Sequence, residues 1–174
     1  MPARRNGPVS SNVRPQMTNT EERYIHFASC IDWLNECWRL LQEIKEEKTN
    51  PLTAAAFRFA TILYSKPYRE SRGNTIRKHR LDTAFIPEQF LSLHMEILND
   101  RDQLHAHSDL TILDARLTVH RFEEKKSAQI VRNMLDATRL LPKLDDVIAL
   151  VEGTLDQMYI VVKNLESQLP ETEA

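Results

Sequence analysis

The chain has 174 residues, of which 41% are hydrophobic and 28% are charged, a composition typical of one soluble globular domain. Only 3 residues are glycine, which argues against a fold with many tight turns and predicts an all-α class. The formal net charge of −2 does not indicate a general nucleic-acid binder, and no apolar run approaches the ~20 residues that span a bilayer. We therefore expect a helical, cytoplasmic protein with no secretory signal and no membrane partner.

The two ends of the chain are predicted to lie outside the folded domain. Residues 1–17 combine Pro, Asn and Ser with three arginines and no acid, so we expect a disordered basic arm. Residues 170–174 are expected to form a disordered tail. A single helical-bundle domain is therefore predicted over residues 18–169.

The first helix is predicted to begin at a capping box formed by Thr18 and Glu21 and to end near Glu47. Its apolar residues follow a 3.6-residue period, and the stripe is wide enough to contact two neighbouring helices or a partner subunit. This width is one reason to expect a homodimer. Cys30 and Cys37 lie seven residues apart on this helix, too far for a disulfide, and should be buried thiols.

A second helix is predicted from Leu52 to about Tyr64, because Asn50-Pro51 supplies an N-cap and a proline at the first helical position. The stretch from residue 66 to residue 86, here called the basic loop, lacks apolar periodicity. It holds six cations and two acids, a local charge of +4 in a chain whose total is negative. Such side chains grip phosphates, although a solvated and mobile loop is the simpler alternative.

The third helix is predicted from Pro87 to the stretch that ends at Asp109. One stripe of this helix passes from apolar residues to Arg101. A buried Arg costs several kcal/mol unless it is paired, so Arg101 should lie at a cleft, a subunit seam or the surface. The polar cluster around it supplies the main candidate site, and its members are Arg101, Asp102, His105, His107, Ser108 and Asp109.

The last third of the chain is predicted to contain one further principal helix. The residues between Leu110 and His120 alternate in part, which indicates a short extended piece. A helical stretch is expected from Glu123 to Leu141, and Pro142 should open a last helix that reaches about Leu169. Four principal helices predict a bundle.

The residue types in the polar cluster suit phosphoryl transfer. A His with a pKa of about 6.5 can give or take a proton at neutral pH, and an Arg can hold a phosphate by two parallel hydrogen bonds. The alternative is an exposed helix end with ordinary polar side chains. A metal site is disfavoured, because His105 and His107 fall on different faces of a helix and no other ligand motif accompanies them. We expect no metal and no cofactor.

The run from Arg101 to His107, RDQLHAH, resembles the R-x(4–6)-H motif of the HEPN superfamily. The Asp after the Arg, the Ala-His-Ser-Asp ending and the place late in a penultimate core helix add to the resemblance, which in helical layout covers roughly Thr20 to Leu169. Arg72 and His79 also satisfy the bare motif. The superfamily consists of small all-α bundles, many of them metal-independent endoribonucleases of toxin–antitoxin and phage-defence systems.

The resemblance implies a role for each matched residue. Arg101 would bind the scissile phosphate, Asp102 would orient Arg101, and His107 would act as general acid or base on the ribose 2′-hydroxyl. In a straight helix Arg101 and His107 lie roughly 120° apart, so they converge only if the helix breaks near Ala106 or if two chains contribute. Further candidates for substrate binding are His105, Ser108 and Asp109 with Lys66, Arg69 and Arg72 of the basic loop.

The expected partners follow from the same resemblance. Family members often dimerise with their motifs facing each other, so we expect a homodimer, RNA, and a cognate antitoxin or other partner protein. The alternative function is a non-catalytic helical-bundle module for dimerisation or protein interaction, in which the polar cluster only shapes an interface.

Overall fold

The computed structural model describes residues 17–47, 50–105, 116–122, 125–131 and 139–170, and for residues 103–105, 122 and 131 only the backbone. The described chain forms four α-helices and one two-stranded antiparallel sheet. The helices are α1 Asn19–Glu46, α2 Thr53–Ser65, α3 Leu91–His105 and α4 Leu144–Glu166, and the strands are β1 Arg116–Phe122 and β2 Lys125–Val131. The fold is therefore mostly α, and the all-α prediction has to be widened to include a hairpin.

The capping box that opens α1 is confirmed. The Thr18 hydroxyl accepts a hydrogen bond from the Glu21 amide at 3.2 Å, and the Glu21 carboxylate accepts one from the Thr18 amide at 2.7 Å. Two backbone donors that the first turn of a helix leaves unpaired are satisfied in this way.

The wide apolar stripe of α1 contacts two helices of the same chain, α2 and α4. Cys30 and Cys37 on this stripe are buried free thiols, as predicted. At the edge of the stripe, Trp38 Nε1 donates to Glu152 of α4 at 2.8 Å, and Lys66 Nζ lies 5.4 Å from the centre of the Trp33 ring. Of the two explanations offered for the width of the stripe, two neighbouring helices account for it without a partner subunit.

The core lies where the four helices meet. Leu34, Leu41, Phe57, Ile97 and Leu150 have no exposed surface, and they come from all four helices. On α4, Gly153 sits against the proline that precedes α3: a Cβ at this position would lie 2.7 Å from Pro87 Cγ. The missing side chain therefore allows the start of the α3 segment to approach α4 closely.

The helix predicted over residues 123–141 is wrong where the structure describes this stretch, because Lys125–Val131 is strand β2. The extended piece predicted before His120 is confirmed in its described part by β1. The register pairs Leu117 with Ile130 and Val119 with Ala128. These apolar side chains recur with a period of two on both strands, so they share one face of a hairpin, whereas a helix would have scattered them.

The remaining boundaries differ from the predictions by one short turn. Pro87 is followed by a 3-10 turn at Glu88–Phe90, and Pro142 lies in another at Leu141–Lys143, each just before its α-helix. The predicted arm over residues 1–17 is described only at Met17, and the predicted tail over 170–174 only at Pro170. Among the described helices, none combines the length and the apolarity that a bilayer span requires.

Candidate functional site

Helix α3 carries the candidate site at its carboxyl end. Leu93, His94 and Ile97 face the core with at most 9% of their surface exposed. One turn beyond Ile97, the side chain of Arg101 is 28% exposed. The stripe thus leaves the core at Arg101, whose side chain is partly exposed.

Asp102 joins Arg101 to an arginine from the basic loop. Arg101 Nη1 donates to Asp102 Oδ1 at 3.1 Å, and Arg69 Nη2 forms an ion pair with Asp102 Oδ2. Arg69 Nη2 also lies 3.4 Å from the carbonyl oxygen of Leu98. Two guanidinium groups share one carboxylate, so the group of three keeps a net positive charge.

Both arginines keep a donor that no described residue accepts. The Nε atoms of Arg69 and Arg101 are buried and have no hydrogen-bond partner within the described part of the chain. A buried donor without a partner costs free energy, about 1–3 kcal/mol in typical cases and more for charged groups. The cluster is therefore built with more donor capacity than its own carboxylate uses.

A buried aromatic and histidine layer lies two turns below Arg101 on α3. His94 Nδ1 is 2.8 Å from the hydroxyl of Tyr64, and the rings of His94 and Tyr68 meet edge to face with centroids 4.5 Å apart. Burial, followed by the charges of Arg80 and Arg69, lowers the pKa of His94 to about 4. His94 is therefore neutral at neutral pH, and its Nδ1 shares one hydrogen bond with the Tyr64 hydroxyl.

The pKa values of the two tyrosines are raised, so both keep their protons. Burial raises the pKa of Tyr64 well above its usual value, and burial also dominates the rise at Tyr68. This layer supports the base of the site and is closed to solvent. Sequence reasoning placed His94 on the stripe but missed this network, because its partners come from residues 26 and 30 positions earlier.

The other predicted site residues are placed as follows. Lys66 lies over Trp33, and Arg72 is exposed on the basic loop, so neither joins the contact of Arg69 with Asp102. His105 is the last residue of α3 that the structure describes, and its side chain lies outside the described residues, as do His107, Ser108 and Asp109 entirely. Of the predicted set, the structure therefore brings together Arg101, Asp102 and Arg69.

The second match to the motif, Arg72 with His79, has a different structural role. His79 is 9% exposed and its Nε2 lies 2.8 Å from Glu22 Oε1 on α1. Arg72 is exposed. His79 is thus part of the packing between the basic loop and α1.

Metal binding was the competing idea for the polar cluster. The described residues contain no group of three or more His, Cys, Asp or Glu placed to hold an ion. His107 and Asp109, which would have supplied ligands, lie outside the described residues.

Comparison with known proteins adds no relative: no family model, curated protein or solved structure matches the chain.

Proposed function

We propose that the protein is a HEPN-like, metal-independent endoribonuclease or RNA-binding protein whose phosphate site contains Arg101 and Arg69. The observation that carries the proposal is the pairing of both guanidinium groups with the Asp102 carboxylate. One carboxylate fixes the orientation of two cations without neutralising them. An RNA phosphate entering beside them would meet the oriented donors of two guanidinium groups.

Catalysis would add a proton-transfer group to this phosphate site. In the HEPN-like mechanism, His107 removes the proton of a ribose 2′-hydroxyl, and the 2′-oxygen attacks the adjacent phosphorus. The bond from phosphorus to the 5′-oxygen of the next nucleotide breaks, and this oxygen leaves with a proton taken from water. Arg101 stabilises the charge on the phosphate, and the product ends in a 2′,3′-cyclic phosphate. The reaction needs no metal, because the nucleophile is part of the substrate and the cations are arginines.

A homodimer forms part of this proposal. The described part of α3 reaches His105. If the helix continued, Arg101 and His107 would point roughly 120° apart around its axis. A second chain can supply the missing member of the pair. Within the proposal, the protein works in the cytoplasm, and a partner protein such as an antitoxin would bind over the same arginines.

The test is RNA cleavage by the purified protein in the presence of EDTA, with wild type beside His107→Ala. We expect cleavage to survive chelation and to fall roughly 10²–10⁴-fold in His107→Ala with RNA binding mostly kept. Arg72→Ala tests the second motif match and should leave the cleavage rate at saturating RNA near wild type, because Arg72 is exposed and is not expected to take part in the chemical step. Full activity in His107→Ala, or no cleavage and no binding of RNA by wild type, would contradict the proposal.

A non-catalytic interaction module is the second candidate, and the hairpin favours it. Leu117, Val119 and Ile130 share one face and are 65%, 56% and 67% exposed. A lone two-stranded sheet is marginally stable in water, and an apolar face of this kind is typical of a surface that a partner covers. A protein that forms a complex with itself or with a partner protein through this face, but neither binds nor cleaves RNA in the assay above, would favour this function.

A further inference from the structure

A buried carboxylate on α1 determines how the basic loop is folded. Glu22 is 5% exposed, and its Oε2 accepts hydrogen bonds from the Thr75 amide, at 2.6 Å, and from the Thr75 hydroxyl. Its Oε1 accepts from His79 Nε2 at 2.8 Å and lies 3.4 Å from the Ile76 amide. These contacts span more than fifty positions of sequence, and together they lower the pKa of Glu22 to about 2.

The basic loop is shaped around this carboxylate. At Gly73, a Cβ would lie 1.6 Å from Glu22 Oε1 and 2.6 Å from His79 Nε2. Any other residue at this position would therefore push the carboxylate or the imidazole away. The ring of His26, one turn after Glu22 on α1, stacks on His79 at 4.7 Å and closes the other side of the pair.

Backbone hydrogen bonds connect this network to Arg69. His79 and Ser71 exchange two backbone hydrogen bonds at 2.9 Å, and the Leu81 amide donates to the Pro67 carbonyl at 2.8 Å. Arg69 lies between Pro67 and Ser71 in extended conformation. Its backbone is thus held at both sides by a segment that Glu22 fixes through His79.

We propose that Glu22 is a positioning residue of the phosphate site, because it holds the basic loop in the conformation that brings Arg69 to Asp102 beside Arg101. The proposal rests on the proposed function, since it assigns to Glu22 the placement of one of its two phosphate-binding arginines. Without the Glu22 carboxylate, Thr75, Ile76 and His79 lose their shared acceptor. The loop then samples other conformations, and Arg69 spends less time at Asp102.

The experiment measures binding of a fluorescent single-stranded RNA oligonucleotide in a His107→Ala background, where the RNA stays intact. Glu22→Gln should raise Kd roughly tenfold, the order of one charge-assisted hydrogen bond. The slope of log Kd against log salt should fall by about 0.7, as expected for one lost phosphate contact to a single strand. In the catalytic background, KM should rise while kcat changes little, because Arg101 and His107 are untouched.

A double-mutant cycle separates positioning from a general structural effect. If Glu22 acts through Arg69, Glu22→Gln should weaken binding much less in a protein that already carries Arg69→Ala. Glu70→Gln is the matched control, since Glu70 is an exposed acid on the same loop and pairs with Lys78 at 2.8 Å. Loss of negative charge alone would tighten RNA binding in both Gln variants, whereas the positioning role weakens it only at Glu22.

Hydrogen exchange and a milder variant keep the test decisive if Glu22→Gln unfolds. Thr75→Val removes one of the hydrogen bonds and leaves the carboxylate, so it should show a smaller rise in Kd and faster exchange of the Ser71 and His79 amides. Unchanged exchange and unchanged Kd in Thr75→Val and Glu22→Gln would overturn the positioning role of Glu22 and leave the proposed function standing. If wild type binds no RNA, both the proposed function and the positioning role are wrong.

Discussion

Histidines in the described part of the chain serve different purposes that residue type alone does not separate. His94 is a buried, neutral side chain under the site that shares a hydrogen bond with Tyr64, whereas His79 donates to a buried carboxylate. Sequence reasoning gave its weight to His105 and His107, because they stand beside Arg101 and match a motif. The role of His94 depends on Tyr64, which lies 30 positions earlier, so it could be found only from the fold.

The pKa of His94 leads to a prediction about stability at acid pH. The folded-state pKa of about 4 lies below the usual 6.5, so the unfolded chain binds a proton that the folded chain excludes. The contribution of His94 to the free energy of unfolding should therefore fall as pH drops from 6.5 to 4, by at most about 3 kcal/mol. His94→Gln, whose amide does not titrate and can donate to or accept from Tyr64, should flatten this part of the profile in urea unfolding.

Glu22 provides an internal control in the same pH profile of the free energy of unfolding. The pKa of Glu22 is lowered to about 2, so its stabilisation is lost only as pH falls below the usual 4.5. The two groups act in separate pH windows, and His94→Gln should leave the lower one unchanged. Equal slopes for wild type and His94→Gln between pH 6.5 and 4 would contradict the assignment of His94 as a buried neutral side chain.

At the scale of elements, the helices could be predicted from local signals and the hairpin only in part. Apolar periodicity located α1 and α4, the Thr18 capping box marked the start of α1, and prolines marked the starts of the later helical segments. Strand β2 was missed, because Lys, Ala and Gln in this stretch are good helix formers. Its strand conformation comes from pairing with β1, a tertiary effect that outweighs propensity.

The candidate site, too, could be predicted from the sequence only in part. The position of Arg101 outside the core could be predicted, because Arg101 ends an apolar stripe, which is a local pattern. The contact between Arg69 and Asp102 could not be predicted, because it requires a particular fold of the basic loop, and that fold depends on Glu22 in another element.

Two leucines give a matched prediction about the hairpin and the core. Leu117 on β1 is 65% exposed, whereas Leu34 on α1 has no exposed surface. Leu34→Ala should lower the free energy of unfolding by about 2–5 kcal/mol, and Leu117→Ala should change it by no more than about 0.5 kcal/mol. Urea unfolding followed by helical circular dichroism measures both. A loss at Leu117→Ala that grows with protein concentration would mean that a second copy covers this face.

At the scale of the whole molecule, the structure changes the reasons for expecting a dimer. The stripe of α1 is satisfied by α2 and α4, so its width no longer argues for a partner. The remaining reasons to expect a dimer are the geometry of the proposed site and the exposed apolar face of the hairpin. The dimer is therefore best tested through catalysis, because only a site shared between chains requires it.

Complementation between two inactive variants tests whether each site draws on both chains. Arg101 is on α3, which stays helical to His105, and a continuous helix would turn His107 roughly 120° away from Arg101. If one chain supplies Arg101 and its partner supplies His107, a mixed dimer of Arg101→Ala with His107→Ala has one intact site and one site with both lesions. Random mixing makes about half of the dimers mixed, so about a quarter of the wild-type activity should return.

Unfolding and refolding the two proteins together, beside each protein alone, gives the measurement. If the chains exchange but cleavage stays at the level of the separate variants, each chain holds a complete site, and α3 must then break soon after His105 to bring His107 back towards Arg101.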